Sequence, residues 1–334
     1  MNILITGGAG YIGSHVVKEL LEDSNYDITV IDNLSTGFES TINTLKKIRD
    51  FKFIKADLSN FSEIEGIFKT KDFDVIIHFA ASLIVPESVK NPLKYYLNNT
   101  VNTTNLVKLA TKYKVKKFIF SSTAAVYGEP SIDEVKDGIK ESFPTNPINP
   151  YGQSKLFSEK IIIDTAKVNK DFKYVIFRYF NVAGASLDLT IGQKTKNATH
   201  LIKVASECAT HKRDKMYIFG TNYPTKDGTC IRDYIHVVDL ANAHIKAIDY
   251  LDGNESDIFN VGYGKGASVK EVIDMVKKVS KVNFKVLNAP RREGDPAILI
   301  SNCDKIKEKM KWIPKYDNLE LICKSAYEWE ERVK

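Results

Sequence analysis

The sequence predicts an α/β fold, a doubly wound parallel sheet followed by a smaller α/β region, on three observations. Short β-rich runs recur through the first 180 residues, and most gaps between them carry amphipathic helical patterns or loops. The runs are apolar throughout instead of alternating, as strands covered on both faces require. The first run ends in a glycine loop that opens a helix.

Taken in order, the strands are "NILIT" at 2–6, "DITVID" at 27–32, "FKFIKAD" at 51–57, "DVIIHFA" at 74–80, "KKFIFSS" at 116–122 and "KYVIFRYF" at 173–180. Beyond residue 180 the pattern loosens into "NVAGASLDLTIGQKTKNATH", rich in Gly, Thr and Asn, and then into shorter helical and extended pieces. This predicts a nucleotide-binding domain over 1–180, with a later segment near 231–250 returning to it, and a second region mainly over 181–334. There is no internal repeat and no low-complexity segment.

Bulk properties narrow the function classes. A chain of 334 residues, 43% hydrophobic and 27% charged, can bury an ample core without staples. Cys208, Cys230, Cys303 and Cys323 form no C-x-x-C pair and no zinc-spaced cluster with histidine, so neither a metal nor a disulfide framework is expected, and a reducing cytoplasm is. "MNILITGG" has no basic n-region or apolar h-region, and no eighteen apolar residues follow one another, so no membrane partner is expected. The net charge of +6 comes from lysines spread over segments such as "KKVSKVNFK", which read as solvated faces and not as a nucleic-acid stripe.

The glycine loop is "TGGAGYIGSH", with Gly7, Gly10 and Gly13 spaced three apart between a strand and a helix. Such glycines allow a tight turn and let backbone N–H groups approach a pyrophosphate at the helix N-terminus, the Rossmann-type arrangement. Asp32 ends the second strand 19 residues after Gly13, where a carboxylate accepts from adenosine ribose hydroxyls and repels a 2′-phosphate. NAD is therefore the expected cofactor. Asp57 in "KADLS" is placed near the adenine edge, and His78 in "VIIHFAA" reads as a packed strand residue near the cofactor.

"NPYGQSK" puts Tyr151 and Lys155 one turn apart on a helix that begins at Pro150, so phenol and ammonium can share a pocket. An unperturbed tyrosine ionises near pH ~10 and a neighbouring cation lowers that value, which suits a general base. The same spacing recurs at Tyr113 and Lys117, but there a helix end gives way to a strand and the side chains need not share a face.

"TGGAGYIG", "FIFSSTAAVYG", "NPYGQSK", "RYFN", "YPTKDGTCIRDYIHV" and "APRREGD" together resemble the extended short-chain dehydrogenase/reductase family, and the last two its nucleotide-sugar epimerase branch. The resemblance covers essentially the whole chain. It implies Tyr151 as acid/base, Lys155 as the group that lowers its pKa and holds the nicotinamide ribose, and Thr123 as the catalytic hydroxyl. It implies further NAD contacts at Tyr11, Ile12, Asn33 and Leu58. Phe79, Ala80, Ala81, Asn98 and Tyr179 are expected at the cofactor on the same ground. For a UDP-sugar it implies Asn181, His200, Leu201 and Phe219, with Arg232, Arg292 and Asp295 at the diphosphate, where arginine forks suit phosphate oxygens. Leu299, counted from Asp295, is expected in the hexose pocket wall. The implied activity is interconversion of UDP-glucose and UDP-galactose by transient oxidation at sugar carbon 4, with slower action on UDP-N-acetylhexosamines. A homodimer through the helical segments at "PLKYYLNNTVNTTNLVKLA" and "YGQSKLFSEKIIIDTA" is the implied assembly.

Two departures stand out. Leu83 occupies the place of a cofactor-reaching lysine found in some relatives, and His200 that of an asparagine. Among other readings, a dehydratase would carry an acidic pair where Ala124 and Ala125 stand, and a non-catalytic NAD sensor would be expected to lose Tyr151 or Lys155.

Overall fold

A computed structural model describes residues 1–131, 135–195, 198–292 and 295–333. The chain forms two compact units: Met1–Gly128, Thr145–Arg178 and Ala241–Phe259 make the first, and Glu129–Pro144, Tyr179–Leu240 and Asn260–Lys334 the second.

Strand and helix alternate from the start: β1 (Asn2–Thr6), α1 (Tyr11–Asp23), β2 (Asp27–Asp32), α2 (Glu39–Leu45), β3 (Lys52–Lys55), α3 (Phe61–Thr70) and β4 (Val75–His78). Then come α4 (Val85–Lys90), α5 (Pro92–Tyr95), a π-helical turn at Tyr96–Val101, α6 (Asn102–Lys112) and β5 (Lys117–Thr123). A 3-10 turn at Ala124–Tyr127, α7 (Pro150–Val168) and β6 (Lys173–Tyr179) follow. The second half holds β7 (Asn181–Ala183), α8 (Leu201–Ala209), β8 (Lys215–Phe219), β9 (Ile231–His236), α9 (Val237–Gly253) and β10 (Asp257–Val261). It ends with β11 (Gly266–Ser268), α10 (Val269–Ser280), β12 (Lys285–Ala289), β13 (Ile298–Leu299), α11 (Asp304–Met310) and α12 (Leu319–Arg332).

Seven strands form the main sheet in the order β10-β6-β5-β4-β1-β2-β3, and the pairs β4–β5, β4–β1, β1–β2 and β2–β3 are parallel. Successive residues Ile3, Leu4 and Ile5 are fully buried, which is why that run shows no alternation. On one side Leu4, Ile31, Ile76, Phe118 and Ile176 pack with Phe68 of α3, Leu106 and Leu109 of α6 and Ile162 of α7. Local signals set the helix starts: the Asn149 side chain accepts from the Gly152 N–H at 2.9 Å, with Pro150 as the first residue of α7.

The second unit is organised around β9, which pairs antiparallel with β11 and parallel with β13 and β7. Of the segment near 231–250 expected to return to the first unit, the part from Ala241 onward clusters with it, and β9 does not. Among the described residues β9 pairs only with strands of the second unit, and the first unit regains the chain at Ala241, within α9. Residues 129–144, placed by sequence in the first domain, cluster with the second unit, where Ile139 bridges to Ser301 and its carbonyl accepts from Asn260.

Two buried carboxylates tie this unit together. Asp233 of β9 accepts from the Tyr263, Gly264 and Ser301 backbone N–H groups and from the Ser301 hydroxyl. Asp239 accepts from the Tyr263 hydroxyl at 2.6 Å and from the N–H groups of Lys315 and Tyr316 at 2.9 and 2.8 Å. Asp239→Ala strands three donors, each costing about 1–3 kcal/mol if left dry. We expect a loss of about 3 kcal/mol or more, read as a lower urea midpoint at unchanged slope; a change below about 1 kcal/mol would show that water replaces the carboxylate.

Candidate active site

In the first unit the glycine loop connects β1 to α1. Gly7 lies at φ +78°, and a Cβ there would stand 2.6 Å from the Ala80 nitrogen; one on Gly13 would stand 2.3 Å from the Gly7 carbonyl oxygen. The turn is therefore closed against the strand-four loop, bringing Gly7 to Phe79 and Ala80. Gly10 caps α1 with extended backbone and makes no side-chain cap hydrogen bond at the helix start. Asp32 is buried at the end of β2, accepting from the Ala9 and Leu34 N–H groups at 3.0 and 2.8 Å; burial raises its pKa. Each oxygen has one such donor, which leaves acceptor capacity for ribose hydroxyls.

Asn33 donates to Asp57 at 2.7 Å, and hydrogen bonds from Ser59 and Asn33 hold Asp57 below the usual carboxylate range. Leu58 beside it is buried. Asn98, in the π-helical turn, donates to the Ser82 hydroxyl at 3.1 Å, next to Ala81. Leu83, in the loop after β4, is half exposed. These donors and acceptors fit a dinucleotide: open helix N–H groups for anionic oxygens and carboxylates for ribose hydroxyls.

On α7, Tyr151 hydrogen-bonds with the Thr123 side chain at the end of β5, in the sense that favours the phenolate. Lys155 donates to the Ser121 carbonyl at 2.7 Å, with its ammonium 4.8 Å from the Phe120 ring centroid. The expectation that Lys155 lowers the Tyr151 pKa needs correction for this resting arrangement. Burial dominates and raises the Tyr151 pKa, with only the Thr123 hydrogen bond opposing it. Burial also brings Lys155 down to about 7, against the pull of the Glu159 carboxylate. The pair is poised near neutrality from the lysine side. The other Tyr-x-x-x-Lys pair diverges as expected: Tyr113 turns to Glu65 at 3.4 Å and Lys117 to the Ile248 carbonyl at 2.9 Å.

His78 is buried between two threonines. Thr103 donates its hydroxyl to the Asn99 carbonyl and so accepts from His78 Nε2 at 2.9 Å, which leaves Nδ1 to accept from Thr6 at 2.6 Å. Its neutral tautomer is thereby set.

The second unit holds the residues expected at the UDP-sugar. Arg232 of β9 is buried, pairs with Asp295, and donates its other arm to the Ile231 carbonyl at 2.8 Å. Leu299 lies beside Arg232 in the β9–β13 register. Arg292 stacks on Phe219, its guanidinium carbon 3.8 Å from the ring centroid; Glu293 and Gly294 of that motif lie outside the described residues. Asn181, His200 and Leu201 line one cavity with Tyr234 and Trp329, and Asn181 donates to the Asp233 carbonyl at 3.3 Å. Tyr179 ends β6 and begins the second unit.

Sequence reasoning missed two features of the first unit. Asn99, buried, takes the Ser82 N–H at 2.8 Å and donates to the Ser82 carbonyl and the Ser154 hydroxyl at 3.1 and 3.0 Å, tying the strand-four loop to α7. Nothing in "YYLNNTV" signalled it. Glu159 completes the series 151, 155, 159, and that spacing was available as a signal.

The NAD dependent epimerase/dehydratase family model matches residues 3–262. UDP-glucose 4-epimerase of Lacticaseibacillus casei is 43% identical over 332 residues, 99% of this chain and 97% of that one. Among solved structures, the UDP-Glc/GlcNAc 4-epimerase of Campylobacter jejuni is 57% identical with a TM-score of 0.87, covering 99% of both chains. UDP-glucose 4-epimerase of Bifidobacterium longum, in complex with NAD+ and UDP, is 34% identical with a TM-score of 0.94, covering 100% of this chain and 99% of that one.

Acid should expose the cost of burying His78. Its folded pKa is depressed to about 3 by burial first and by the Lys155 charge second, while the unfolded value is near ~6.5. The unfolded state thus binds the proton first, and stability present above pH ~6.5 is lost as pH falls toward the folded value. Between pH ~7.5 and ~5 the chain should lose about 2 kcal/mol more than a His78→Gln variant, measured by urea unfolding. Equal losses in the two proteins would mean that His78 is protonated in the fold.

Proposed function

The chain belongs to the NAD dependent epimerase/dehydratase family, and on that premise we propose that it interconverts UDP-glucose and UDP-galactose, with slower conversion of UDP-N-acetylhexosamines. The observation that carries the reading is the set of half-buried Tyr151 with buried Thr123 and Lys155 at the end of β5, one strand away from β4 and its following loop. The capacity to oxidise sugar carbon 4 comes from NAD when it is bound.

Gly7, Gly10, Gly13 and the start of α1 hold its pyrophosphate, and Asp32 its adenosine ribose. Tyr151 takes the proton from the sugar 4-hydroxyl and later returns it, while Thr123 donates to the phenolate that does so. Lys155, when protonated, places a positive charge beside that exchange. The 4-keto sugar can turn over only if the hexose is held loosely and the nucleotide firmly. Arg232, held by Asp295, and Arg292 accordingly anchor the diphosphate, and Asn181, His200, Leu201 and Phe219 the rest of the nucleotide. Ala124 and Ala125, in the places where a dehydratase carries acids, favour epimerisation over loss of water.

A homodimer through the helices of the first unit fits their exposed apolar side chains. Val89, Leu93 and Leu97 are 63%, 69% and 61% exposed, and Phe157 of α7 stacks on Tyr96 with centroids 5.9 Å apart. Four free, buried cysteines support a reducing, cytoplasmic setting, and among the described residues no helix is long and apolar enough to cross a membrane.

Incubation with UDP-galactose and UDP-N-acetylgalactosamine separately, with chromatographic resolution of the epimers, tests the activity. Tyr151→Phe should keep NAD and fold yet lose at least ~100-fold in turnover; near-normal turnover would sink the assignment. Leu299→Tyr should suppress conversion of the N-acetyl sugars and Leu299→Ser raise it, each by ~10- to 200-fold, and an unchanged ratio of activities would remove Leu299 from the pocket wall. Leu93→Glu with Leu97→Glu should reduce the mass seen by light scattering from twice 37.7 kDa to 37.7 kDa. A wild-type protein already at the lower mass would refute the dimer.

A further inference from the structure

Residues 151, 155 and 159 fall on successive turns of α7, and each engages the end of β5. Tyr151 bonds Thr123, Lys155 bonds the Ser121 carbonyl, and Glu159 accepts from the Ser122 hydroxyl. Three consecutive strand residues thus hold three consecutive helical turns. Glu159 is fully buried and is the best held of the three. Arg178 of β6 grips it with two nitrogens, Nε at 3.0 and 3.2 Å from the two oxygens and Nη2 at 2.6 Å from Oε2. Arg178 also donates to the Tyr127 hydroxyl at 3.2 Å and stacks 5.0 Å over that ring, at the end of the 3-10 turn that starts directly after Thr123.

We propose that Glu159, clamped by Ser122 and Arg178, is a positioning residue for the reaction: it fixes the height of Tyr151 and Lys155 against β5 and presents a fixed carboxylate one turn beyond the ammonium. The inference rests on the proton-transfer role given to Tyr151 above. An ion pair between β6 and α7 could brace the fold from anywhere along the helix. This one continues the stripe that carries the reacting groups, and its carboxylate favours the charged lysine against burial. The other groups around Lys155 do not substitute for it. His78 from β4 is neutral, Phe120 and Ser121 from β5 carry no charge, and Arg178 from β6 stands behind Glu159. Tyr151 itself is faced by Thr123 and, edge-on, by Tyr95 of α5.

The test replaces both buried charges, Glu159→Gln with Arg178→Gln, so that neither is stranded. Bound NAD and KM should stay within about twofold while kcat at neutral pH falls about tenfold or more. The alkaline limb of the kcat profile should move to lower pH by about half a unit or more, because Lys155 loses the carboxylate that favours its charge. A lowered melting temperature with an unmoved limb and unchanged kcat per folded molecule would reduce Glu159 to packing and overturn the proposal. If the double variant does not fold, Ser122→Ala decides, since it leaves both charges paired: the limb moves the same way by less, or the proposal fails. Tyr151→Phe run alongside separates the two readings. Its full activity would defeat the proposed reaction, whereas its inactivity with an unmoved limb in the other variants would defeat this inference alone.

Discussion

An ammonium group only 3% exposed stays charged only if the protein replaces the water it has lost, and Lys155 is such a group. The Ser121 carbonyl, the face of Phe120 and the carboxylate of Glu159 make up that replacement. Each has a structural consequence. β5 must end at a height where residues 121–123 present a carbonyl and two hydroxyls in succession. The first turn of α7 must come close to the 3-10 turn, which Gly152 permits, since a Cβ there would lie 2.6 Å from the Ala125 carbonyl oxygen. Asn99 then ties α7 to the loop after β4, so the neighbourhood of the glycine turn and that of Tyr151 are parts of one hydrogen-bonded framework.

The second unit solves a related problem with the opposite sign. Asp233 lies next to Arg232 in β9, yet the two side chains have separate tasks. Asp233 is buried among three backbone N–H groups and the Ser301 hydroxyl, which fixes the strand, and Arg232 is thereby presented with its fork against Asp295. A strand anchored by an acid whose oxygens are both hydrogen-bonded carries its neighbouring arginine at a stable place.

The fold class was legible because both of its signals are local. Continuous apolar runs report strands covered on two faces, and the three glycines report a turn that must pass against backbone, as the contacts of Gly7 and Gly13 do. The Tyr151 and Lys155 pair was legible from helical spacing for the same reason. What escaped the sequence was long-range. Asn99 acts through partners 17 and 55 residues away, and Ile139 through Asn260 and Ser301, so no window of neighbouring residues contains either relation. The direction of the Tyr151 pKa shift escaped for a different cause. Spacing reports which charges are close, while the loss of water, here the larger effect, is known only once the surroundings are packed.

The division of the chain into two units also bears on how the protein is made. The first unit is assembled from three separate stretches, the last of them Ala241–Phe259, and its sheet is completed at one edge by β10. During synthesis from the N-terminus, β6 therefore waits with an unpaired edge while more than seventy further residues emerge, most of them belonging to the other unit. Such an edge invites pairing with other strands. Productive folding on the ribosome must then keep that edge shielded until residue 261 is released, so the two units mature together instead of one after the other.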